Sequence, residues 1–297
     1  PMYDSIVVPF DASEPAEAAA ETAVRVADIV DAEVSILAVA EPSHYPRTGV
    51  VSDDPLPDDP DREDLGTHWV QAIGRVEAAA ADAGVSSRTT IEMGAPHERI
   101  EAHVDRVGAD LVAMGTHGRT GLDRLLLGSV TERALRTLDV PVLAVPGPDA
   151  VAAVDDVLVP TDGSAGSERA AEHACALADA CDATVHGLAV VDVQSMATGG
   201  TGAIAVPDIV DALEEQRSND VERVGEHADA YGLDFESRVM EGTAERAISD
   251  YARERDVDLI AMGTHGREGV RRFFLGSVTE RTVRDGVAPV LAIPIAE

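Results

Sequence analysis

The chain has 297 residues, of which 45% are hydrophobic and only 3% aromatic, and its formal net charge is −32. With 55 acidic residues against 23 basic ones, the surface is predicted to repel nucleic acids and anionic membranes. All the basic residues are arginines, so chemistry that needs a lysine, such as a Walker-A phosphate loop or a Schiff base, is excluded.

The first elements are a short strand and a long helix. The strand Ile6–Pro9 leads into Asp11 and Ser13, and Ser13 precedes a segment with apolar residues at helical spacing, which predicts a helix with one buried face. A second buried strand follows at Val34–Ala40. Residues 41–64 are rich in proline and aspartate and predict a loop, whose acidic run is interpreted as a solvated surface, with a cation site as the alternative.

The rest of the first half continues the alternation of helices and strands. The predicted elements are a helix at 65–83, a strand at 87–93, a helix at 96–107, a strand at 110–115, a helix at 129–138 and a strand at 141–145. The second half repeats this order at 156–161, 165–180, 183–191, 207–231, 235–241, 243–255, 258–263, 277–286 and 289–294. The sequence is therefore an internal duplication.

The duplication predicts two domains, residues 1–148 and 153–297, joined by a linker that contains Gly147 and Pro148. Because each half alternates five strands with the helices between them, we expect an α/β fold. It would consist of two tandem doubly wound, parallel, five-stranded sheets with a Rossmann-like strand order of 3-2-1-4-5. The offset between the halves is 151 residues at the first strand, where Asp11 corresponds to Asp162, and 148 residues at the later glycines.

One segment is nearly identical in the two halves. Residues 112–133 and 260–281 each contain a predicted strand, the pattern Gly-x-x-Gly-x9-Gly-Ser, and a predicted helix. Ser129 and Ser277 each begin Ser-x-x-Glu, which predicts a capping box at the helix N-terminus. A strand, a glycine loop and a helix N-terminus present backbone N–H groups to an anion, so the pattern predicts a phosphate-binding loop in each half.

A purely structural interpretation of the same residues is a tight turn that needs glycine at positive φ, followed by a capping serine. The local charge favours the binding interpretation. Residues 115–137 contain four arginines against two acids, and residues 263–284 contain five against two. Two basic segments in so acidic a chain indicate an anionic ligand.

Ligands of doubly wound folds bind beyond the carboxyl ends of the strands, where the strand order reverses. Strands 1 and 4 flank that crevice in each half. We therefore expect Asp11 opposite the Gly115 motif and Asp162 opposite the Gly263 motif.

In these residues the chain resembles the tandem universal stress proteins of the ATP-binding subgroup. Further similarities are Val-Val-Pro-Phe-Asp-Ala-Ser and Leu-Val-Pro-Thr-Asp-Gly-Ser around strand 1, and the closing strands PVLAV and PVLAI. The resemblance implies that each half binds ATP, or ADP or AMP, and that Mg²⁺ accompanies the nucleotide. The composition, with many acids and no lysine, also resembles that of haloarchaeal cytoplasmic proteins.

The resemblance assigns roles to specific residues: the Asp contacts the nucleoside, a strand-2 residue reaches adenine through its backbone, and the glycine motif holds ribose and phosphates. It places Pro9, Asp11, Val39, Met114, Gly115, His117, Gly118, Gly128, Ser129, Val130 and Thr131 in the first site. It places Pro160, Asp162, Val190, Met262, Gly263, His265, Gly266, Gly276, Ser277, Val278 and Thr279 in the second site.

Other roles for these residues have less support. His117 and His265 could act as metal ligands or acid–base groups, but neither has a second His or a Glu at ligand spacing, which favours a backbone role. Asp11 as a phosphate acceptor would need an acidic cluster and a lysine, and the chain has no lysine.

The predicted function is a nucleotide-dependent regulatory module of the stress response, with weak ATP hydrolysis at most. The alternatives are a slow ATPase or nucleotidyl transferase and a scaffold that binds no nucleotide. The resemblance further implies that the two domains pair through their last strands within the chain. A homodimer and a protein partner are left open.

The two cysteines and the hydropathy of the sequence indicate the cellular compartment that we expect for the protein. Cys175 and Cys181 lie six residues apart in one predicted helix, so they point to different faces and no disulfide is expected. The sequence has neither an apolar run of 18 residues nor a signal peptide, which favours a cytoplasmic protein that does not enter a membrane.

Overall fold

The structure is a computed structural model that describes residues 2–40, 66–116, 127–147, 151, 153–192, 207–264 (side chains from 212) and 275–295. The chain divides into two compact units, Pro1–Ala152 and Ala153–Glu297. The predicted acidic loop at 41–64 lies outside the described residues, as do the centres of both glycine motifs.

The first unit contains five strands and four helices in its described part. They are β1 (Ser5–Phe10), α1 (Glu14–Val30), β2 (Glu33–Ala40), α2 (Thr67–Asp82), β3 (Ser87–Met93), α3 (Pro96–Val107), β4 (Leu111–Gly115), α4 (Ser129–Thr137) and β5 (Val142–Val145).

The second unit repeats this order in its described residues. Its elements are β6 (Asp156–Thr161), α5 (Ala165–Cys181), β7 (Thr184–Val191), α6 (Pro207–Tyr231), β8 (Phe235–Glu241), α7 (Ala244–Glu254), β9 (Leu259–Gly263), α8 (Ser277–Asp285) and β10 (Val290–Ile293).

The strands of each unit are parallel to their neighbours. In the first unit they follow the order β3-β2-β1-β4-β5, and in the second β8-β7-β6-β9-β10. The first strand of each unit is therefore central, between the second and the fourth. The predicted α/β class with a parallel sheet is confirmed.

Sequence signals explain where the first helix of each unit begins and ends. Ser13 caps α1, since its side-chain oxygen accepts a hydrogen bond from the Ala16 N–H (3.3 Å), and Glu14 and Glu17 complement the helix dipole. Ser164 caps α5 in the same way through the Ser167 N–H (3.3 Å). Both helices end at an aspartate in the left-handed region, Asp31 and Asp182.

The core consists mainly of Val, Ile, Leu and Ala side chains on the strands and on the inner helix faces. Small residues let α1 and α5 pack closely on the sheet, which suits a chain with so few aromatic residues. Cys175 is buried within α5, and both cysteines are free, so the predicted absence of a disulfide is confirmed. No helix in the described ranges is both long enough and apolar enough to cross a membrane.

Candidate functional site

A crevice opens at the carboxyl end of the central strand in each unit. Register pairs join β1 to β4 only at Ile6–Leu111 and Val7–Val112, whereas β1 pairs with β2 through Phe10. In the second unit β6 and β9 pair only at Val157–Leu259 and Leu158–Ile260. The strands on either side of the reversal in strand order therefore separate toward their carboxyl ends, where a ligand can enter.

The predicted nucleoside-contacting aspartates lie at this opening. One carboxylate oxygen of Asp11 accepts hydrogen bonds from the N–H (3.0 Å) and the hydroxyl (2.5 Å) of Ser13. The Asp162 carboxylate accepts one from the Ser164 N–H (3.0 Å). Each aspartate thus forms a turn that joins the end of the strand to the start of the helix, and this turn fixes the carboxylate beside the crevice.

The first glycine of the motif has a packing role that the sequence did not reveal. A Cβ atom on Gly115 would lie 2.7 Å from the carbonyl carbon of Pro15, and one on Gly263 would lie 2.7 Å from that of Gly166. Neither glycine has a positive φ. The turn interpretation is therefore wrong for these two positions, which need glycine because β4 and β9 end against a helix backbone.

The predicted capping box is also wrong. The N-cap of α4 is Gly128, Ser129 is the first helical residue, and no side chain caps the helix. Gly276 and Ser277 have the same arrangement in α8. Ser129 is therefore one position too late to cap the helix.

The first turn of each motif helix offers backbone donors. The first intrahelical bond of α4 runs from the Glu132 N–H to the Gly128 carbonyl oxygen (2.8 Å). The N–H groups of Ser129, Val130 and Thr131 consequently have no acceptor within the helix. In α8, where Glu280 bonds to Gly276 (2.9 Å), the equivalent donors belong to Ser277, Val278 and Thr279. Such a helix end attracts anions.

A threonine hydroxyl fixes this helix end to the preceding strand. The Thr131 hydroxyl donates to the Gly115 carbonyl oxygen (2.8 Å), and that of Thr279 donates to Gly263 (2.8 Å). A backbone bond closes the base of each glycine loop: Gly128 N–H to Thr116 O and Gly276 N–H to Thr264 O, both 2.7 Å. The two units therefore share one geometry at the donor end of the crevice.

Other predicted site residues lie near this end of the sheet. Val39 and Val190 come one residue after the last register pairs of β1 with β2 and of β6 with β7. Pro9 and Pro160 lie two residues past the last pairs with β4 and β9. Met114 and Met262 have buried side chains and can offer a ligand only their backbone.

The described arginines of the basic segments are mostly engaged elsewhere. Arg136 pairs with Glu132 (2.9 Å), Arg284 pairs with Glu280 (2.7 Å), and Arg281 pairs with Glu245. These contacts make them unsuitable as phosphate ligands and weaken the charge argument for the site. Arg133 is exposed, and the remaining arginines of both segments lie outside the described residues.

The two crevices differ beneath the first strand. In the first unit Phe10 packs edge-to-face on the buried Trp69, with ring centroids 6.4 Å apart. The equivalent residues in the second unit are Thr161 and Arg217, by the offsets of 151 and 148 residues. One crevice therefore has an apolar base, and the other has a polar, charged one.

Arg217 links the charged lower part of the second crevice to Asp162, a predicted site residue. Its guanidinium donates from Nη1 to the Asp162 carbonyl oxygen (3.0 Å) and to Asp220 Oδ2 (2.7 Å). Arg223 also donates to the buried Asp220 (3.0 Å). Gly163 leaves room for Asp220, since a Cβ atom there would collide with its carboxylate.

The first unit has its own side-chain contact to the turn after β1. His68 Nε2 lies 2.9 Å from the carbonyl oxygen of Ala12, so the ring holds the residue that follows Asp11. Sequence reasoning missed both His68 and Arg217. The signal that could have identified them is an alignment of the helices of the two halves at the 148-residue offset. It shows that the residues at these positions differ between the halves.

Four predicted residues, His117, Gly118, His265 and Gly266, lie outside the described residues. Within the ranges that the structure covers, no group of three or more His, Cys, Asp or Glu side chains is placed to hold a metal ion. The described site is thus built from backbone donors and one aspartate per unit.

Comparison with known proteins agrees with this arrangement. The model of the universal stress protein family matches residues 2–146 and 154–294. A universal stress protein of Methanocaldococcus jannaschii is 34% identical over 138 residues, which cover 46% of this chain and 80% of the relative. One of Mycolicibacterium smegmatis is 27% identical over 303 residues, which cover 97% and 96%.

A solved structure supports the fold over the full length. The crystal structure of a universal stress protein from Archaeoglobus fulgidus aligns with a TM-score of 0.69 at 22% identity and covers 98% of both chains. The family model matches both halves, and each half has the crevice described above. The chain therefore belongs to the universal stress protein family and carries two of its domains in tandem.

Proposed function

We propose that each unit binds ATP, or a related adenine nucleotide, and that the chain acts as a nucleotide-dependent regulatory protein of the stress response. One observation carries the proposal: the first-turn N–H groups of α4 and α8 lie at the open carboxyl end of the sheet in both units. Three backbone donors at a positive helix end suit a phosphate group without needing a lysine.

The residues on the opposite wall of the crevice favour a nucleotide over a simple anion as the proposed ligand. Asp11 and Asp162 are carboxylates, which only accept hydrogen bonds when ionised. A nucleotide offers both chemistries, since its phosphates accept hydrogen bonds and its ribose hydroxyls donate them. We propose that the phosphates lie over the helix ends and that the ribose meets the aspartates.

The remaining contacts are proposed from the family resemblance. Val39 and Val190 would meet adenine through their backbone, and the glycine motifs would surround the ribose and phosphates. We propose Mg²⁺ only as the counter-ion that the phosphates bring with them. Regulation through a protein partner, pairing of the two domains through their last strands and a cytoplasmic location stay predictions.

Proline substitution provides a sharp test of the backbone donors. Ser129 is the first residue of α4, where proline is favoured, and Gly128 has φ −60° and ψ 135°, which suit a residue before proline. Ser129→Pro therefore removes one N–H without breaking the helix, while Ser129→Ala removes only the hydroxyl. Ser277→Pro and Ser277→Ala form the same pair in the second unit, after Gly276 at φ −59° and ψ 138°.

Calorimetric titration with ATP, ADP and AMP in Mg²⁺ is expected to show about two nucleotides per chain. Each proline variant should lose most of the affinity of one site, and the alanine variants should lose less. Failure of the wild-type chain to bind any adenine nucleotide would leave only the scaffold interpretation. Robust multiple turnover, near the typical enzyme value of roughly 10 per second, would instead make the chain an ATPase.

A further inference from the structure

An acidic pocket lies at the edge of the sheet where the strands of the first unit begin, opposite the edge with the nucleotide crevice. It has a volume of about 620 Å³, which falls within the roughly 300–1,000 Å³ that is usual for small-molecule sites. None of the described residues that line it is an arginine or a histidine, and five are acids: Asp4, Asp28, Asp31, Glu33 and Asp110. The chain has 55 acids, so this charge alone does not indicate a ligand.

Hydrogen bonds and strand register place three of these acids around the start of β1. Asp110 Oδ2 accepts hydrogen bonds from the N–H groups of Asp4 (2.9 Å) and Ser5 (3.1 Å). On the other side of β1, the Glu33 N–H donates to the Asp4 carbonyl oxygen (2.9 Å). Ser5 is the register partner of Glu33, so these two side chains lie on the same face of the sheet. Ser5 therefore has an acidic residue on each side.

Three helices also end at this pocket. The residues that line it include Asp31 and Gly108, the C-caps of α1 and α3, and Gly84, which follows α2. Each helix C-terminus carries roughly half a negative elementary charge. The last turns of α1 and α2 contain no basic residue, and Arg106 in α3 pairs with Glu92. None of the five acids forms an ion pair with a described residue, so the negative potential is not compensated there.

The Ser5 hydroxyl is the observation that points to a ligand. Ser5 lines the pocket and is 6% exposed, and its Oγ has no hydrogen-bond partner among the described residues. At the 151-residue offset Ser5 corresponds to Asp156, whose carboxylate lies 2.7 Å from His186 Nε2. The first unit has Ser35 in place of His186, and Ser35 bonds to His103 instead (2.8 Å). The second unit thus satisfies this position from its own chain, whereas the first unit does not.

We propose that this pocket binds a small organic polyamine, whose ammonium groups meet the carboxylates and donate to Ser5 Oγ. An ammonium group only donates hydrogen bonds, and the carboxylates, the helix-end carbonyls and the Ser5 hydroxyl can all accept them. No three acids in the described ranges are placed to hold one metal ion. A polyamine carries several charges along a flexible chain, so it can reach acids at the strand start and at the helix end separately.

The test is a titration of the whole chain with spermidine at constant ionic strength, followed by NMR at the backbone amides of residues 4–5, 31–33 and 108–110. Mg²⁺ at the same ionic strength is the comparison for a simple cation. Ser5→Ala removes the hydroxyl that has no partner, so this variant should be at least as stable as wild type. A loss of spermidine affinity in Ser5→Ala consequently reports on binding and not on folding.

A pair of double variants tests the carboxylates. Asp28→Asn/Asp31→Asn removes two exposed acids at the end of α1, and asparagine tolerates the left-handed conformation of residue 31 (φ 59°). Asp179→Asn/Asp182→Asn is the matched control, because it removes two exposed acids at the end of α5, where Asp182 has φ 57°. Both variants change the net charge of the chain by the same amount.

We expect saturable shifts with spermidine in wild type and in the control, and weaker binding in Ser5→Ala. Binding in Asp28→Asn/Asp31→Asn should be roughly tenfold weaker than in wild type. Equal losses in the two double variants would indicate diffuse attraction to the whole chain and would overturn the proposal. Absent shifts, the same shifts with Mg²⁺, or unchanged affinity in Ser5→Ala would also overturn it. The pocket shares no residue with the nucleotide crevice, so these outcomes are independent of the proposed function.

Discussion

The last residue of β4, Gly115, packs directly against the backbone of Pro15 in the first turn of α1. A Cβ atom at Gly115 would lie 2.7 Å from the Pro15 carbonyl oxygen as well as its carbonyl carbon. Gly263 has the same relation to Gly166 in the second unit. The first glycine of each motif therefore brings the strand end and the aspartate turn together before any ligand arrives.

This contact predicts that Gly115→Ala is destabilising. The added methyl group meets backbone, which cannot move aside, so we expect a loss of about 1–3 kcal/mol in the free energy of unfolding. Denaturant unfolding measures it. Ser129→Ala is the control in the same motif: its side chain is exposed and caps nothing, so its effect should stay within about 0.5 kcal/mol. Equal stability of Gly115→Ala and wild type would contradict the packing role.

The alternation of strands and helices could be predicted from hydrophobic periodicity alone. The predicted bounds of α6 and β8, for example, agree with the structure at both ends. The central strands were recognisable because strands buried on both faces read as continuous apolar runs, as in β4, whereas the edge strand β8 is largely exposed.

The packing of the motif could not be predicted in the same way. Gly115 and Pro15 lie 100 residues apart, so the local pattern suggested a phosphate-binding loop or a tight turn at positive φ, and not this packing contact. The Ser-x-x-Glu pattern at Ser129 was misleading because Gly128 takes the N-cap and Glu132 pairs with Arg136. Counting arginines likewise could not show which of them neighbouring glutamates neutralise.

The hydroxyl of Thr131 provides a second prediction. Thr131→Val keeps the shape of the side chain but removes the hydrogen bond to the Gly115 carbonyl oxygen. We expect a loss of about 1 kcal/mol in stability and weaker nucleotide binding at the first site, because the helix end is no longer tied to β4. Thr131→Ser retains the donor and should preserve binding. Weakened binding in the serine variant but not in the valine variant would exclude this role.

A third prediction concerns pH. Burial, together with the charge of Arg169, lowers the pKa of His173 from 6.5 to about 4. Between these values the unfolded chain binds a proton that the folded chain does not, so this residue reduces stability as the pH falls from 6.5 toward 4. His173→Gln should therefore show a shallower loss of stability over that window than wild type. If the curves of melting temperature against pH were parallel for wild type and His173→Gln, the lowered pKa of His173 would be contradicted.

Salt dependence follows from the charge of the whole chain. Fifty-five acids against 23 arginines repel one another, and the Debye length falls from roughly 30 Å at 0.01 M salt to about 3 Å at 1 M. We expect the melting temperature to rise steeply across a KCl series. A sugar series at constant ionic strength serves as the control for general exclusion effects. A flat or falling midpoint in KCl would show that self-repulsion does not limit the stability of the fold.

The difference between Arg217 and Trp69 predicts that the two nucleotide sites are unequal. Arg217 holds the carbonyl of Asp162, the residue proposed to meet the ribose, while the first unit has an apolar contact at that position. Arg217→Met should therefore weaken nucleotide binding at the second site and leave the first unchanged. Calorimetry in a Ser129→Pro background, where only the second site is expected to bind, isolates the effect.

Arg223→Met is the matched control for this prediction. Both arginines donate to the buried Asp220, so both variants lose one partner of that carboxylate, and Arg223→Met also loses an ion pair with Glu168 (3.1 Å). Denaturant unfolding measures the stability of each variant, and binding is compared under conditions in which both are folded. Of the two, only Arg217 donates to the Asp162 carbonyl oxygen. We expect several-fold weaker binding in Arg217→Met than in Arg223→Met. Equal losses in both would mean that the ion cluster supports the fold alone and does not position Asp162.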